Sequence, residues 1–415
     1  MKFRSSILLY LLIYLTACSS MKNFYSDMTV IGAWGPIRVN SGNPANQFFF
    51  SQVGSSEKKI KADVIQKNNK LLVYPAEALM AGVIYQLESA GKSKPILKNI
   101  QIRETCLVYL IQDEDGSALW MNCPDEEPHR IIKPDDTIED FTISPAGEMI
   151  IYTTKNDLGG NEIWQIEPDG SGSKLVYDCS ESKCTNLDLD FFSSKLVFTQ
   201  QNETFPIKLL DLQRGIVSNI DGPGSELSLS PDGKFLSSLD DKSGQLTITN
   251  LANQNIITAK SGSGLMGEWA SDSRSILFGE MEYWGGIPGV KVNELEIPSG
   301  KIKLILHDPG QELEFYQPMY TRDEGIYLAS VRLRSAGANK QFWLLREGPE
   351  GIKQITNDPL FHYSFPSWSP DYSELVFQRF PINMSDGQPQ VVVWNRDSDT
   401  FRVIAENASR PFWLP

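Results

Sequence analysis

"FPSWSPDYSELVFQR", Phe365 to Arg379, puts an aromatic strand, a turn and a second apolar strand into fifteen residues. Ser-Pro-Asp is strong turn chemistry, because proline presets φ and the Asp side chain bonds nearby backbone. The opening phrase, Pro-x-Trp-x-Pro, returns in "SRPFWLP", Ser409 to Pro415. The chain therefore ends on a phrase that elsewhere opens a unit. Why it does so decides the architecture.

Four other stretches share the plan: "FTISPAGEMIIYTT", "LSLSPDGKFLSSLD", "GEWASDSRSILFGE" and "PMYTRDEGIYLAS". Each sets a short strand, then Ser-Pro-Asp-Gly or a degraded form of it, then an apolar strand. Landmarks at Pro145, Pro231, Asp272, Arg322, Pro370 and Pro415 are spaced by 86, 41, 50, 48 and 45 residues. The first gap holds two units, and "LDLDFFSSKLVFTQ", Leu187 to Gln200, supplies the hidden one, with "FFSS" in place of the turn. A second hairpin follows each turn strand, as in "IWQIEPDGSG" and "KLVYDC". Four short strands per ~45 residues, without helical periodicity, describe a propeller blade. A lone blade exposes two apolar faces and needs neighbours.

These copies resemble the TolB-like repeats of exported bacterial propellers, whose pattern runs Pro-x-Trp-Ser-Pro-Asp-Gly, an apolar strand and a Leu-Thr ending. "PSWSPDYSELVF" and "KQITND", Lys353 to Asp358, match it well. The resemblance covers residues 105–415. It implies the fold and leaves the activity open.

The segment "ETCLVYLIQDEDGSALWMNCPDEEPHRII" has the second, third and fourth strands of a blade and no turn strand before them. "SRPFWLP" is a first strand with nothing after it. The expectation is a ring closed by the C-terminal strand. Its seven blades are 105–134 with 408–415, then 135–179, 180–221, 222–263, 264–308, 309–357 and 358–407. Six or eight blades remain compatible, because two units are poorly marked.

The N-terminus reads as a lipoprotein signal. Lys2 and Arg4 precede the nine-residue apolar run Ile7 to Leu15, too short for the ~20 residues that span a bilayer. "LTAC", Leu15 to Cys18, resembles the bacterial lipobox, which implies cleavage after residue 17 and acylation of Cys18. Ser19 follows, not the Asp that resembles an inner-membrane retention signal, so an outer-membrane or cell-surface location is expected. Residues 18–27 read as a tether. Residues 28–103 lack the repeat and contain seven short strands, the pattern of a small β-sandwich. "LLVYPAEALMAGVIYQL", Leu71 to Leu87, resembles bacterial Ig-like domains. The fold class is thus all-β, an Ig-like sandwich followed by a closed propeller.

Export makes disulfides expected. Cys106, Cys123, Cys179 and Cys184 remain after Cys18, and three pairings are open. The local pairs Cys106–Cys123 and Cys179–Cys184 are favoured by their places on adjacent strands and across one short loop. Free thiols or a metal site are the alternatives, although the gap from Cys106 to Cys123 is wide for zinc.

Little in the chain speaks for catalysis. His129, His307 and His362 fall in different units with no paired metal spacing, and no Gly-x-Ser-x-Gly elbow is present. Gly/Ser loops such as "SGSGLMG" lack phosphate-loop spacing, and acidic turns such as "DEDG" read as solvated turns rather than calcium sites. No cofactor or metal is therefore expected. The net charge of -14 argues against nucleic acid as a partner. Trp269, Trp368 and Trp413 recur at the innermost position and read as packing between blades. Trp164, Trp343 and Trp394 read as strand core. "MEYWGGIPG", Met281 to Gly289, reads as an inter-strand loop whose Tyr283 and Trp284 are candidate binding residues, since exposed loop aromatics make good anchors.

The expected role is a lipid-anchored, non-catalytic binding or scaffold protein of the cell envelope, held to the membrane by its lipid and presenting propeller loops to a protein or glycan. The alternative is an enzyme, polysaccharide lyase or hydrolase-like, acting at the central channel. A structural surface-layer role is the weaker third reading. Cys18→Ser is expected to move the protein from the detergent phase to the aqueous phase in Triton X-114 partitioning. Unchanged partitioning would remove the lipid anchor.

Overall fold

The structure is a computed structural model. It describes residues 29–40, 47–54, 59–67, 70–90, 98–113, 116–132, 137–204, 206–240, 242–262, 265–284, 286–336, 339–346, 351–382 and 387–415. Cys18, the signal segment and the whole tether, residues 18–27, lie outside the described residues. The chain divides into two units, Met1–Thr105 with Pro415 and Cys106–Leu414.

The first unit carries seven strands in the spatial order Thr29–Ile31, Lys98–Ile102, Ile84–Ala90, Gln47–Gln52, Lys59–Lys67, Lys70–Pro75 and Ile37–Asn40. The strand Lys59–Lys67 serves both halves of the sheet. Lys59 to Lys61 pair with Phe49 to Ser51, and Ala62 to Lys67 pair with Lys70 to Pro75. Side chains from both halves, including Phe48, Phe50, Val73, Leu87 and Ile100, meet in one buried cluster. A sheet that turns back on itself in this way buries one face without a helix to cover it.

The second unit is seven antiparallel sheets of four strands each. Sheet 1 comprises Cys106–Asp113, Gly116–Asn122, His129–Arg130 and the distant Ala408–Leu414. Sheets 2 to 7 span residues 138–178, 184–220, 226–260, 266–306, 313–354 and 361–406, with their strands in chain order. The first strand of each lies innermost. First strands of neighbouring sheets touch, whereas fourth strands such as Ile216–Ile220 are largely exposed.

Strand alternation explains how the sheets associate. Successive side chains point to opposite faces, and here both faces are apolar. In the second strand of sheet 2, Ile150 and Tyr152 join the cluster with sheet 1, while Ile151 joins the cluster with sheet 3. In sheet 5, Ile276 and Phe278 face sheet 4, and Leu277 faces sheet 6. The remaining clusters join sheets 3 and 4, sheets 6 and 7, and finally sheets 7 and 1. Every sheet thus packs against two others in cyclic order, the arrangement of a β-propeller.

The last seam is made by the C-terminal strand. Phe412, Trp413 and Leu414 pair with Val108, Leu107 and Cys106, and Trp413 Nε1 donates to Ser367 O of sheet 7 at 3.0 Å. Trp269 Nε1 makes the same bond, to Ser228 O of sheet 4 at 3.3 Å. Trp368 packs between sheets 6 and 7. The innermost tryptophans are therefore seam residues. Trp394 is fully buried, and Trp164 and Trp343 are partly buried at the margins of clusters.

The turns follow the sequence chemistry. Ser144, Ser230 and Ser369 Oγ accept backbone N–H groups four or five residues on. In sheet 3 the Asp190 carboxylate does this for Ser194 and Lys195, which explains how "FFSS" turns without Ser-Pro. Disulfides join Cys106 to Cys123 and Cys179 to Cys184.

Deleting residues 408–415 leaves the strand Cys106–Asp113 as an open edge and uncovers apolar surface on sheets 1 and 7. The truncated chain is expected to aggregate and to melt at a lower temperature than the parent. The milder Trp413→Ala is expected to cost about 3 kcal/mol in denaturant unfolding. A cost below ~0.5 kcal/mol would show that the seam does not carry the fold.

Candidate functional site

Seven innermost strands enclose the axis of the second unit, and most of them are bulged. The register shifts between Thr185 and Asp188, between Tyr316 and Met319, between Ser364 and Ser367, and between Ser409 and Phe412. At each shift one residue turns left-handed: Asn186, Gln317, Phe365 and Arg410, with φ of 55°, 46°, 51° and 52°. Each stands three residues before the innermost aromatic or Leu position. Non-glycine residues at such φ cost free energy, and a following proline, present after Gln317, Phe365 and Arg410, adds restriction. The same strained device re-aims a side chain in each of the four strands: Gln317 and Phe365 stand exposed, Arg410 turns to Asp140, and Asn186 Nδ2 donates to the Gly224 and Ser225 carbonyls of sheet 4.

On one side of the rim Arg410 is the hub. Its guanidinium pairs with Asp140 Oδ1 at 2.5 Å and lies 5.8 Å from the ring centroids of both Phe141 and Phe365. Its backbone N–H donates to Gln378 Oε1. Sheets 7, 1 and 2 are thereby tied together. Phe365 remains 44% exposed, unusual for a phenylalanine on an innermost strand.

Two carboxyls lie between innermost strands. Asp188 Oδ2 accepts Leu229 N–H at 2.7 Å, and Glu268 Oε2 accepts Tyr320 N–H at 2.9 Å. In both cases the donor belongs to the next sheet. Burial raises both above the ordinary carboxylate range, Asp188 to about 6 and Glu268 to about 7, and the backbone hydrogen bonds only partly offset it. Sequence reading missed them. The available signal was the residue just before the innermost aromatic position, which is Ser228 or Ser367 in two repeats and a carboxylate in these two.

The residues singled out in the sequence do not converge. Tyr283 lies on sheet 5, and the segment expected to be a loop there is strand instead. Ser275–Trp284 and Ile287–Glu296 pair throughout, ending at Trp284↔Ile287, so the hairpin is longer than read. The pairing is sustained by a ladder on which Lys291 bridges Glu280 and Glu282. Tyr283 is 71% exposed near the tip, and Trp284 ends its strand. His129, His307 and His362 lie on or beside three different sheets, and among the described residues no three His, Cys, Asp or Glu side chains gather as a metal site.

No family model matches the chain, and no curated protein matches it. Solved structures do. An oligogalacturonate lyase from Vibrio parahaemolyticus aligns with a TM-score of 0.52 at 11% identity, covering 88% of this chain and 100% of that one. A prolyl endopeptidase aligns at 0.51 and 10% identity, covering 87% of this chain and 50% of that one. TolB from Acinetobacter baumannii aligns at 0.47 and 13% identity, covering 85% and 82%. At such identities the likeness is one of fold, an all-β chain with a propeller.

The two carboxyls predict a pH effect. Their folded values are raised, so their contribution to stability is complete below the unfolded values near 4 and is lost as pH rises through about 6 to 7. Glu268→Gln and Asp188→Asn keep an acceptor and remove the titration. Each variant is expected to melt about 2 °C above the parent at pH 8, with the gap closing toward pH 4. A gap that is independent of pH would refute the assignment.

Proposed function

We propose that this chain is a lipid-anchored envelope protein whose propeller, one blade per sheet and seven in all, is a non-catalytic binding module for a protein or a glycan. Residues 18–27 are then the tether and 28–103 an Ig-like spacer. Export is supported by the signal-like N-terminus and by the two disulfides.

The inner rim carries this reading. Phe365 and Gln317 are exposed, Arg410 is pinned by Asp140, and all three stand on innermost strands packed on both faces. An exposed aromatic beside a paired guanidinium, on strands packed on both faces, is an interface anchor prepared before its partner arrives. Tyr283, at the tip of the long hairpin of sheet 5, offers a second anchor.

One observation favours the enzymatic alternative. Glu268 and Asp188 hold raised carboxyls among the innermost strands, and such groups suit proton transfer near neutral pH. They stand on sheets 5 and 3, with sheet 4 between them.

Mild crosslinking of the mature protein in envelopes, followed by capture, is expected to retain a specific partner, with Phe365→Ala and Tyr283→Ala each reducing its yield several-fold. Incubation with acidic oligosaccharides is expected to give no turnover. Turnover abolished by Glu268→Gln would replace the binding reading with the enzymatic one.

A further inference from the structure

Within the seam between sheets 6 and 7, side-chain chemistry changes along its length. At mid-height it is apolar, with Phe342 of sheet 6 against Tyr363 and Phe377 of sheet 7. Strand alternation carries the same two faces upward to the end at which the first strands begin. Two residues beyond Phe377 stands Arg379, and two before Phe342 stands Lys340, register partner of Arg332. Alternation therefore places Arg332 and Lys340 on the face of sheet 6 toward sheet 7, and Arg379 on the face of sheet 7 toward sheet 6, at the same end of the seam.

The charges there do not balance. Glu314, buried, takes both Arg332 and Arg334 and accepts the Tyr316 hydroxyl at 2.8 Å. That leaves Arg332 and Lys340 as like charges directly opposite on neighbouring strands, a destabilising pair when nothing lies between them. Among the described residues no carboxylate is within ion-pair distance of Lys340 or Arg379; Arg379 Nε donates to Gln390 Oε1 at 2.6 Å, and Asp358, in the connection between the two sheets, accepts Leu360 N–H. Among the described residues the four cations Arg332, Arg334, Lys340 and Arg379 thus stand beside Glu314 and Asp358, with Glu406 linked to Arg379 only through Gln390, in a protein of net charge -14. Burial, followed by the nearby Arg332, lowers the Lys340 pKa, and Glu314 only partly offsets them.

Aromatic rings hold these cations in place. Lys340 Nζ lies 3.6 Å from the Tyr316 ring centroid, and Arg379 Cζ lies 4.4 Å from that of Phe361. A cation thus occupies one face of each ring, and guanidinium forks match planar carboxylates.

We infer that this end of the seam between sheets 6 and 7 binds the side-chain carboxylates of an acidic segment in a partner protein, through Arg332, Lys340 and Arg379. This rests on the binding-module reading and names the chemistry of its partner. The protein's overall negative charge repels acidic chains elsewhere, so attraction is confined to this end of the seam and specificity comes with it.

The test is fluorescence anisotropy with fluorescein-labelled hexaglutamate and the mature chain at low salt, with hexalysine and a tri-uronate as comparison probes. Hexaglutamate is expected to bind in preference to both. Lys340→Gln with Arg379→Gln should weaken it about tenfold at unchanged melting temperature, and Lys340→Arg should retain it. If the double variant unfolds, Lys340→Gln alone is read in the same way. Equal affinity of parent and variant, or preference for the tri-uronate, overturns the inference. A partner captured equally well by parent and double variant leaves the binding module standing and removes only this site. Capture of no partner at all removes the module, whatever hexaglutamate does.

Discussion

A sheet with two apolar faces cannot stop at an edge of the assembly. In the second unit every sheet has such faces: Val376 of sheet 7 points one way while Leu375 and Phe377 point the other. Two neighbours per sheet is the only arrangement that leaves no face wet, and a cycle is the only finite arrangement with two neighbours throughout. The pairing of Ala408–Leu414 with Cys106–Asp113 meets that requirement, because it builds the face of sheet 1 that covers Val376, Val391 and Val393. Sheet 1 takes its innermost strand from three hundred residues downstream, so the fold is not finished until both ends of the propeller segment are present.

Closure also sets what the site can be. Innermost strands are held on both faces and cannot adapt, so polar groups on them take their geometry from the neighbouring sheet. Asp188 and Glu268 each find a backbone donor one sheet on, and Trp269 and Trp413 each find a carbonyl one sheet back. Against this regular background the left-handed residues stand out. Bulges at Asn186, Gln317, Phe365 and Arg410 carry backbone strain that turns Gln317 and Phe365 outward and sends Asn186 and Arg410 to a neighbouring sheet, a strain that persists only where the surrounding packing enforces it. Charge is distributed unevenly around the same rim. Asp140 is matched by Arg410, whereas the cations above sheets 6 and 7 outnumber their carboxylates.

Legibility varied with the range of the interaction. Turn chemistry is local, so Ser-Pro-Asp-Gly marked its units wherever it survived, and Asp190 was hidden only because a carboxylate replaced the serine hydroxyl in the same bond. The long hairpin of sheet 5 was misread because glycine and Pro288 are loop residues by composition, while Tyr283 and Trp284 still pair with Pro288 and Ile287 and Lys291 bridges two glutamates on the same hairpin. The raised carboxyls were invisible for a related reason: an Asp in "LDLD" acquires its environment from sheet 4, some forty residues away. The cluster of Arg332, Lys340 and Arg379 joins three strands of two sheets, and nothing in "SVRLRS" or "VFQRFP" announces it.

By itself the sequence determined the all-β class, the repeat and its turns, the apolar alternation of each strand and the signal-like N-terminus, because each of these depends on residues a few positions apart. Tertiary structure alone decided which side chains share a seam, which carboxyls lose water and which cations gather at one end of it. Those properties belong to pairs of surfaces, and the surfaces meet only when the ring closes.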